Sequence, residues 1–133
     1  MIIDGSAPWN DPMLMLRADG YNPQKWYFRG KQVVGVQKRK FKLETVQGCS
    51  NLKEVLESLT DKGKAPEGQW RESFAEKYRL MSLQEQLGIP DASWIDEYED
   101  AHFPYLTNLR SGFHWADDIR RGGEDWLWLI EIE

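Results

Sequence analysis

This chain of 133 residues has one cysteine, Cys49, and two histidines, His102 and His114. A single thiol closes no intramolecular disulfide, which takes cross-links out of the stability argument and favours a reducing compartment, by default the cytoplasm. Apolar runs are short. Met13-Leu14-Met15-Leu16 and Trp126-Leu127-Trp128-Leu129-Ile130 are the longest, against the ~20 residues that a membrane helix needs, so no membrane span is expected. Met1-Ile2-Ile3-Asp4-Gly5 has neither a basic n-region nor an apolar core, and no signal peptide is expected either. Phosphate-loop patterns are missing: Gly30-Lys31 has no glycine at the required distance before it, and Gly122-Gly123 runs into Glu124-Asp125, whose charges repel phosphate. There is no internal repeat and no low-complexity tract.

What is present points to a folded chain. The hydrophobic fraction of 41% with 13% aromatics is too high for disorder. Residues 1–133 fit the usual size of one domain, which buries roughly two-thirds of its unfolded surface. Charge is segregated along the chain. Residues 1–46 carry 8 Lys/Arg against 4 Asp/Glu, and residues 47–133 carry 9 against 18. Such a split gives one basic and one strongly acidic region, a property that steers partners without shaping the fold.

Gly5 to Pro12 is dense in turn formers and reads as a loop. Met13 to Arg17, stopped by Asp19-Gly20, reads as a short strand. Residues 25–46 read as a meander of antiparallel strands with a turn at Arg29-Gly30-Lys31. Ser50 or Asn51 can cap a helix carrying Leu52, Val55, Leu56 and Leu59 at helical spacing, closed by Lys62-Gly63. Trp70, Phe74 and Tyr78 open a second helical run through Leu80, Met81, Leu83 and Leu87 to Gly88 and Pro90. A third helix is expected from Asp91 or Ser93, with Trp94, Ile95 and Tyr98 inward, ending before Pro104. Tyr105 to Arg121 shows no clear period. Trp126, Trp128, Ile130 and Ile132 alternate along a final strand, buried at its start and ending at a sheet edge. The expected fold is α+β: an antiparallel sheet, made of the N-terminal meander and the C-terminal strand, packed against two or three helices from the middle of the chain.

The equipment for catalysis is thin. Cys49 sits at a strand-to-helix junction where its thiol acidity is open to the helix N-terminus, but no family signature surrounds it, and a small enzyme with a site at His102 or His114 is the least favoured reading. Glu99 and His102, with His114 and Asp117 or Asp118, are the best metal ligands by spacing, yet a lone Glu-x-x-His is not the paired set that a di-metal bundle needs. No catalytic residue, metal or cofactor is expected. Neither carboxylate pairs nor the Trp126/Trp128 alternation separates a glycosidase or sugar platform from an ordinary solvated face and core.

Two surfaces remain. Lys38, Arg39, Lys40 and Lys42, read as a basic hairpin near Trp26, Tyr27 and Phe41, resemble in type the cation-and-ring sheets that hold single-stranded nucleic acid. Nucleic acid is nonetheless the weaker partner, because the excess acid in the rest of the chain opposes a polyanion. From Asp91 to Asp100 there are five acids and no Lys or Arg, interleaved with Trp94, Ile95 and Tyr98. This pattern suits a docking surface with aromatic anchors inside a charged rim. The expected contact residues are Asp96, Glu97, Tyr98, Glu99 and Asp100, joined by Asp117, Asp118, Glu124 and Asp125 if the fold brings them near. The expected function is non-catalytic inhibition of a protein with a basic surface, such as a nuclease toxin or a nucleic-acid-processing complex. A toxin-immunity protein or a phage-type anti-defence inhibitor, of the anti-CRISPR kind, would work this way.

Overall fold

The computed structural model describes residues 1–78, 86–108, 110–121 and 125–133. In chain order it contains strand β1 (Ile2–Asp4), helix α1 (Pro12–Ala18), strands β2 (Tyr27–Phe28), β3 (Val36–Lys38) and β4 (Lys40–Glu44), and helices α2 (Leu52–Leu59) and α3 (Arg71–Tyr78). Strands β5 (Gln86–Gly88), β6 (Trp94–Ile95), β7 (Ala101–Leu106), β8 (Ser111–Trp115) and β9 (Trp126–Ile132) complete it. Helices and strands are thus mixed, and the strand pairs are largely antiparallel. No helix among the described residues is long and apolar enough to cross a membrane.

The main sheet differs from the expected one. It is a mixed half-barrel of seven strands, ordered β2-β6-β7-β5-β9-β4, with β8 on the other edge of β7. The N-terminal meander does not exist: β2 pairs with β6, β3 with β1 in a separate two-stranded ribbon, and β4 with β9. Nor does the last strand end at an edge. β9 runs parallel to β5 and antiparallel to β4, and beyond β5 Lys64 exchanges two backbone hydrogen bonds with Glu131 (2.9 and 2.8 Å). β5 and β6 lie along the same edge of β7, interrupted at 89–93, where Pro90 cannot donate to a ladder. Asp91 holds this excursion by accepting from the Gly68 N–H (2.7 Å) and the Ser93 hydroxyl.

The expected strand at residues 13–17 is α1. Asp11 accepts from Met13 N and Leu14 N (2.9 and 3.1 Å), and Pro12 stands at the first helical position, where its missing N–H costs nothing. α2 forms as expected. Asn51 accepts from Glu54 N (2.9 Å) while the Glu54 carboxylate accepts from Ser50 N (3.0 Å), and Leu52, Val55 and Leu59 are buried. The second helical run does not extend through Leu87 and Gly88, which belong to β5; α3 is described over Arg71–Tyr78, and Leu80, Met81 and Leu83 lie outside the described residues.

The alternation of β9 separates two cores. Trp126, Trp128 and Ile130 pack with Phe103 and the inner face of α2. Leu129, flanked by Leu127, packs with Phe74, Leu87 and Ile89. A third cluster joins Met15 and Leu16 of α1 to Trp94 and Phe113. The β1–β3 ribbon is tied down by buried amides. Gln69 accepts from Val33 N (2.8 Å) and donates to Val33 O and Asn10 O (2.9 and 3.1 Å), and Asn10 donates to Asp4 O (2.8 Å).

Candidate partner-binding face

The acidic segment is not a helix. β6 and β7 form a hairpin whose turn is Asp96–Asp100, because the Asp96 carboxylate accepts from Tyr98 N and Asp100 N (2.8 and 3.0 Å). Asx turns of this kind offer the backbone an alternative to helical bonding. Asp96 N donates to Asp100 O (3.0 Å), and Glu99 takes the left-handed conformation with φ 65°. Asp96 therefore shapes the turn rather than presenting its charge. Trp94 and Ile95 point inward as expected, whereas Tyr98 stands out at the tip, 77% exposed.

β7 and β8 pair in a register that sets His102 against Trp115, and Ala116 N donates to Ala101 O (2.9 Å). Asp117 consequently follows opposite Asp100, at the same end of the sheet as the hairpin. Glu97, Tyr98, Glu99, Asp100, Asp117 and Asp118 are all exposed there. Among the described residues no ion pair reaches Asp100, Asp117 or Asp118; Lys25 approaches Glu97 at 4.0 Å. Arg120 and Arg121 form no ion pair among the described residues, and the Arg121 guanidinium lies 4.3 Å over the Trp115 ring. Asp125 is exposed and lines a hollow of about 560 Å³ with Thr45, Cys49, Arg120 and Trp126. Glu124 lies outside the described residues.

Tyr27 is part of this surface, and nothing in the sequence connects it to the acids 72 residues away. Its hydroxyl donates to the Glu99 carboxylate (2.8 Å), which pushes the phenol pKa up. The ring is 47% exposed and lies on β2, the strand beside the hairpin.

Both imidazoles are buried beneath or beside the face. His102 Nδ1 is 3.0 Å from Asp100 O, its Nε2 is 3.7 Å from the Asp96 carboxylate, and the Trp26 and Trp115 rings flank it at 4.6 and 5.4 Å. His114 places its two nitrogens at Arg121 O and Trp115 O (2.6 and 3.1 Å). The Cys49 thiol contacts Gln47 O and the Ser58 hydroxyl (3.8 and 3.6 Å), not an imidazole. No group of three metal-ligating side chains occurs among the described residues.

Burial pushes the His102 pKa below its ordinary value of 6.5, against the upward pull of the Asp100 carbonyl and the Asp96 and Asp100 carboxylates; His114 adds to the downward shift. The stability that the neutral ring contributes is complete above 6.5 and is lost as pH falls through the lower folded value. His102→Phe keeps the ring packing and removes the titration. Urea unfolding at about pH 7.5 and about pH 5 should show a smaller acid-side loss in the variant than in the parent. Equal losses would mean that His102 does not titrate with folding.

The four basic candidates are not a hairpin. Lys38 ends β3 and Lys40 begins β4, and these strands belong to different sheets on either side of Arg39. Arg39 is committed to Glu131 and Glu67 (2.7 and 3.2 Å), and Lys42 to Glu44 (3.0 Å). Trp26 and Phe41 pack against core clusters rather than offering ring faces.

Comparison with known proteins finds no matching family model, no matching curated protein and no matching solved structure.

Proposed function

We propose that the protein is a non-catalytic inhibitor that covers a basic site on another protein with the acidic end of its sheet. One observation supports this reading: the β6–β7 turn exposes Glu97, Tyr98, Glu99 and Asp100, and the β7–β8 register sets Asp117 and Asp118 at the same end of the sheet. Carboxylates on one rim steer a cationic partner in, and a tyrosine among them supplies desolvated contact area at the centre. A nuclease toxin or a nucleic-acid-processing complex has such a basic cleft, so the setting is toxin immunity or phage-type counter-defence. The nucleic-acid reading has less support, since two of its four cations, Arg39 and Lys42, are held in ion pairs.

Charge reversal tests it. Glu97→Lys with Asp100→Lys should slow association with the physiological partner by about tenfold to a thousandfold at low salt. Both side chains are exposed, so the melting midpoint should hold. The protein is used as bait in lysate of its own cells, and the retained partner is then studied by surface plasmon resonance, with duplex DNA as competitor. A partner released by DNA and lost in the double variant supports the proposal. A partner bound equally fast by the variant, or indifferent to DNA, refutes it.

A further inference from the structure

The β1–β3 ribbon carries a second surface of opposite character. Met1 N donates to Arg39 O (2.7 Å), Arg39 N to Met1 O (3.0 Å), and Gly5 N to Gly35 O (2.8 Å). Hydrogen-bonded and non-bonded pairs alternate along an antiparallel ladder. Ile3·Gln37 is therefore a bonded pair, whereas Ile2·Lys38 and Asp4·Val36 are not. Val36 and Lys38 accordingly turn their N–H and C=O groups away from β1. Among the described residues no strand pairs with that edge.

Side chains along the open edge are apolar and cationic, while Asp4 and Glu76 line the hollow that Val36 shares with Ile2, Trp9 and Lys77. Val36 is 69% exposed, Val34 65%, and Ile2, diagonal to Val36 on the same face, 67%. Residues 20–43 contain seven Lys/Arg and no Asp/Glu. Lys38 and Lys40 are exposed and make no ion pair among the described residues. Asp4, across from Val36, gives its carboxylate to the Ser6 N–H (2.9 Å). An exposed edge with unpaired backbone groups is a template for another strand; lysines on it oppose pairing in general, and a strand with opposite charges across from them is the one that overcomes this.

We propose that β3 accepts an extended acidic segment of a partner protein as an added strand, with an aliphatic side chain over Val36 and a carboxylate beside Lys38. Charge complementarity selects this occupant. A second copy pairing antiparallel about Lys38 would set lysine against lysine, and one pairing about Val36 would set Lys38 over Val34 with no countercharge, whereas an acidic strand supplies one. Single-stranded nucleic acid needs successive ring faces for its bases; Trp9, 54% exposed, shares a hollow with Ile2 and Val36, but Ile2, Val34 and Val36 along the edge offer no ring.

The test uses the full chain and fluorescently labelled peptides, measured by anisotropy at low salt. A peptide alternating valine and glutamate should bind, and one alternating valine and lysine should not. Val36→Pro deletes an outward N–H without touching a bond to β1, and should weaken binding at least about tenfold. Lys38→Glu with Lys40→Glu should invert the preference between the two peptides, which keeps the test decisive if the proline variant unfolds. No binding of the glutamate peptide, or equal binding of both peptides, overturns the proposal. So does tighter binding of oligothymidylate, or self-association of the protein abolished by the same variants.

Discussion

Arg71→Met should lower the unfolding free energy by about 3–5 kcal/mol, the cost of breaking one side of a buried ion pair. The guanidinium is fully buried, forks onto the Asp19 carboxylate at 2.8 and 3.1 Å, and lies 5.3 Å over the Phe113 ring. It also donates to Glu72 (2.8 Å) and to Gly112 O (2.9 Å), while Ser111 donates to Asp19 (2.6 Å). Removing the cation strands Asp19, whose side chain is 3% exposed, without its partner. The cost comes from that orphaned charge rather than from the worth of the pair. Adding Asp19→Leu to Arg71→Met should therefore restore part of the loss, because the penalty of an unpaired buried anion disappears. Urea titration of the two single variants and the double reads the coupling. A loss below about 1 kcal/mol for Arg71→Met, or strict additivity in the double, would show that the network contributes little.

Trp128→Ala should cost about 3–5 kcal/mol by transfer and cavity terms together. The ring is fully buried, stacks on Trp126 (5.2 Å, 20°) and meets Phe103 at 5.3 Å. It also explains Gly88 on the neighbouring strand: a Cβ there would lie 2.5 Å from the Trp128 ring and 3.2 Å from Phe103. The indole occupies the space that any side chain at residue 88 would need. Loss of the ring should loosen α2, which packs on this face, so amide exchange across residues 52–59 should rise more than in β4. Thermal melting and hydrogen exchange measure both effects. Unchanged protection of α2 would mean that its docking rests on Phe103 and Ile130 instead.

Local rules were legible where one element obeyed one rule. Asn51 with the Leu52, Val55 and Leu59 spacing specified α2, and the period-2 pattern of Trp126, Trp128 and Ile130 specified β9. The same reasoning failed where a pattern had two meanings. Trp94, Ile95 and Tyr98 fit a helical stripe, but two of them sit on a strand and the third on a turn, because Asp96 closes that turn with its own carboxylate. Asp11-Pro12 read as a breaker, yet it opens a helix. In each case a side chain bonding to nearby backbone outweighed hydrophobic spacing.

Composition and order along the chain determined the charge inventory, a basic N-terminal third and an acidic remainder. They also determined the elements whose stabilising contacts lie within a few residues. Tertiary structure alone decided which carboxylates share a face, that Tyr27 joins them, that Arg39 is spent on Glu131, and that β3 keeps an unpaired edge. The physical reason is range: capping and side-chain period act over a turn, whereas strand register is set by the mutual burial of faces from segments distant in the chain.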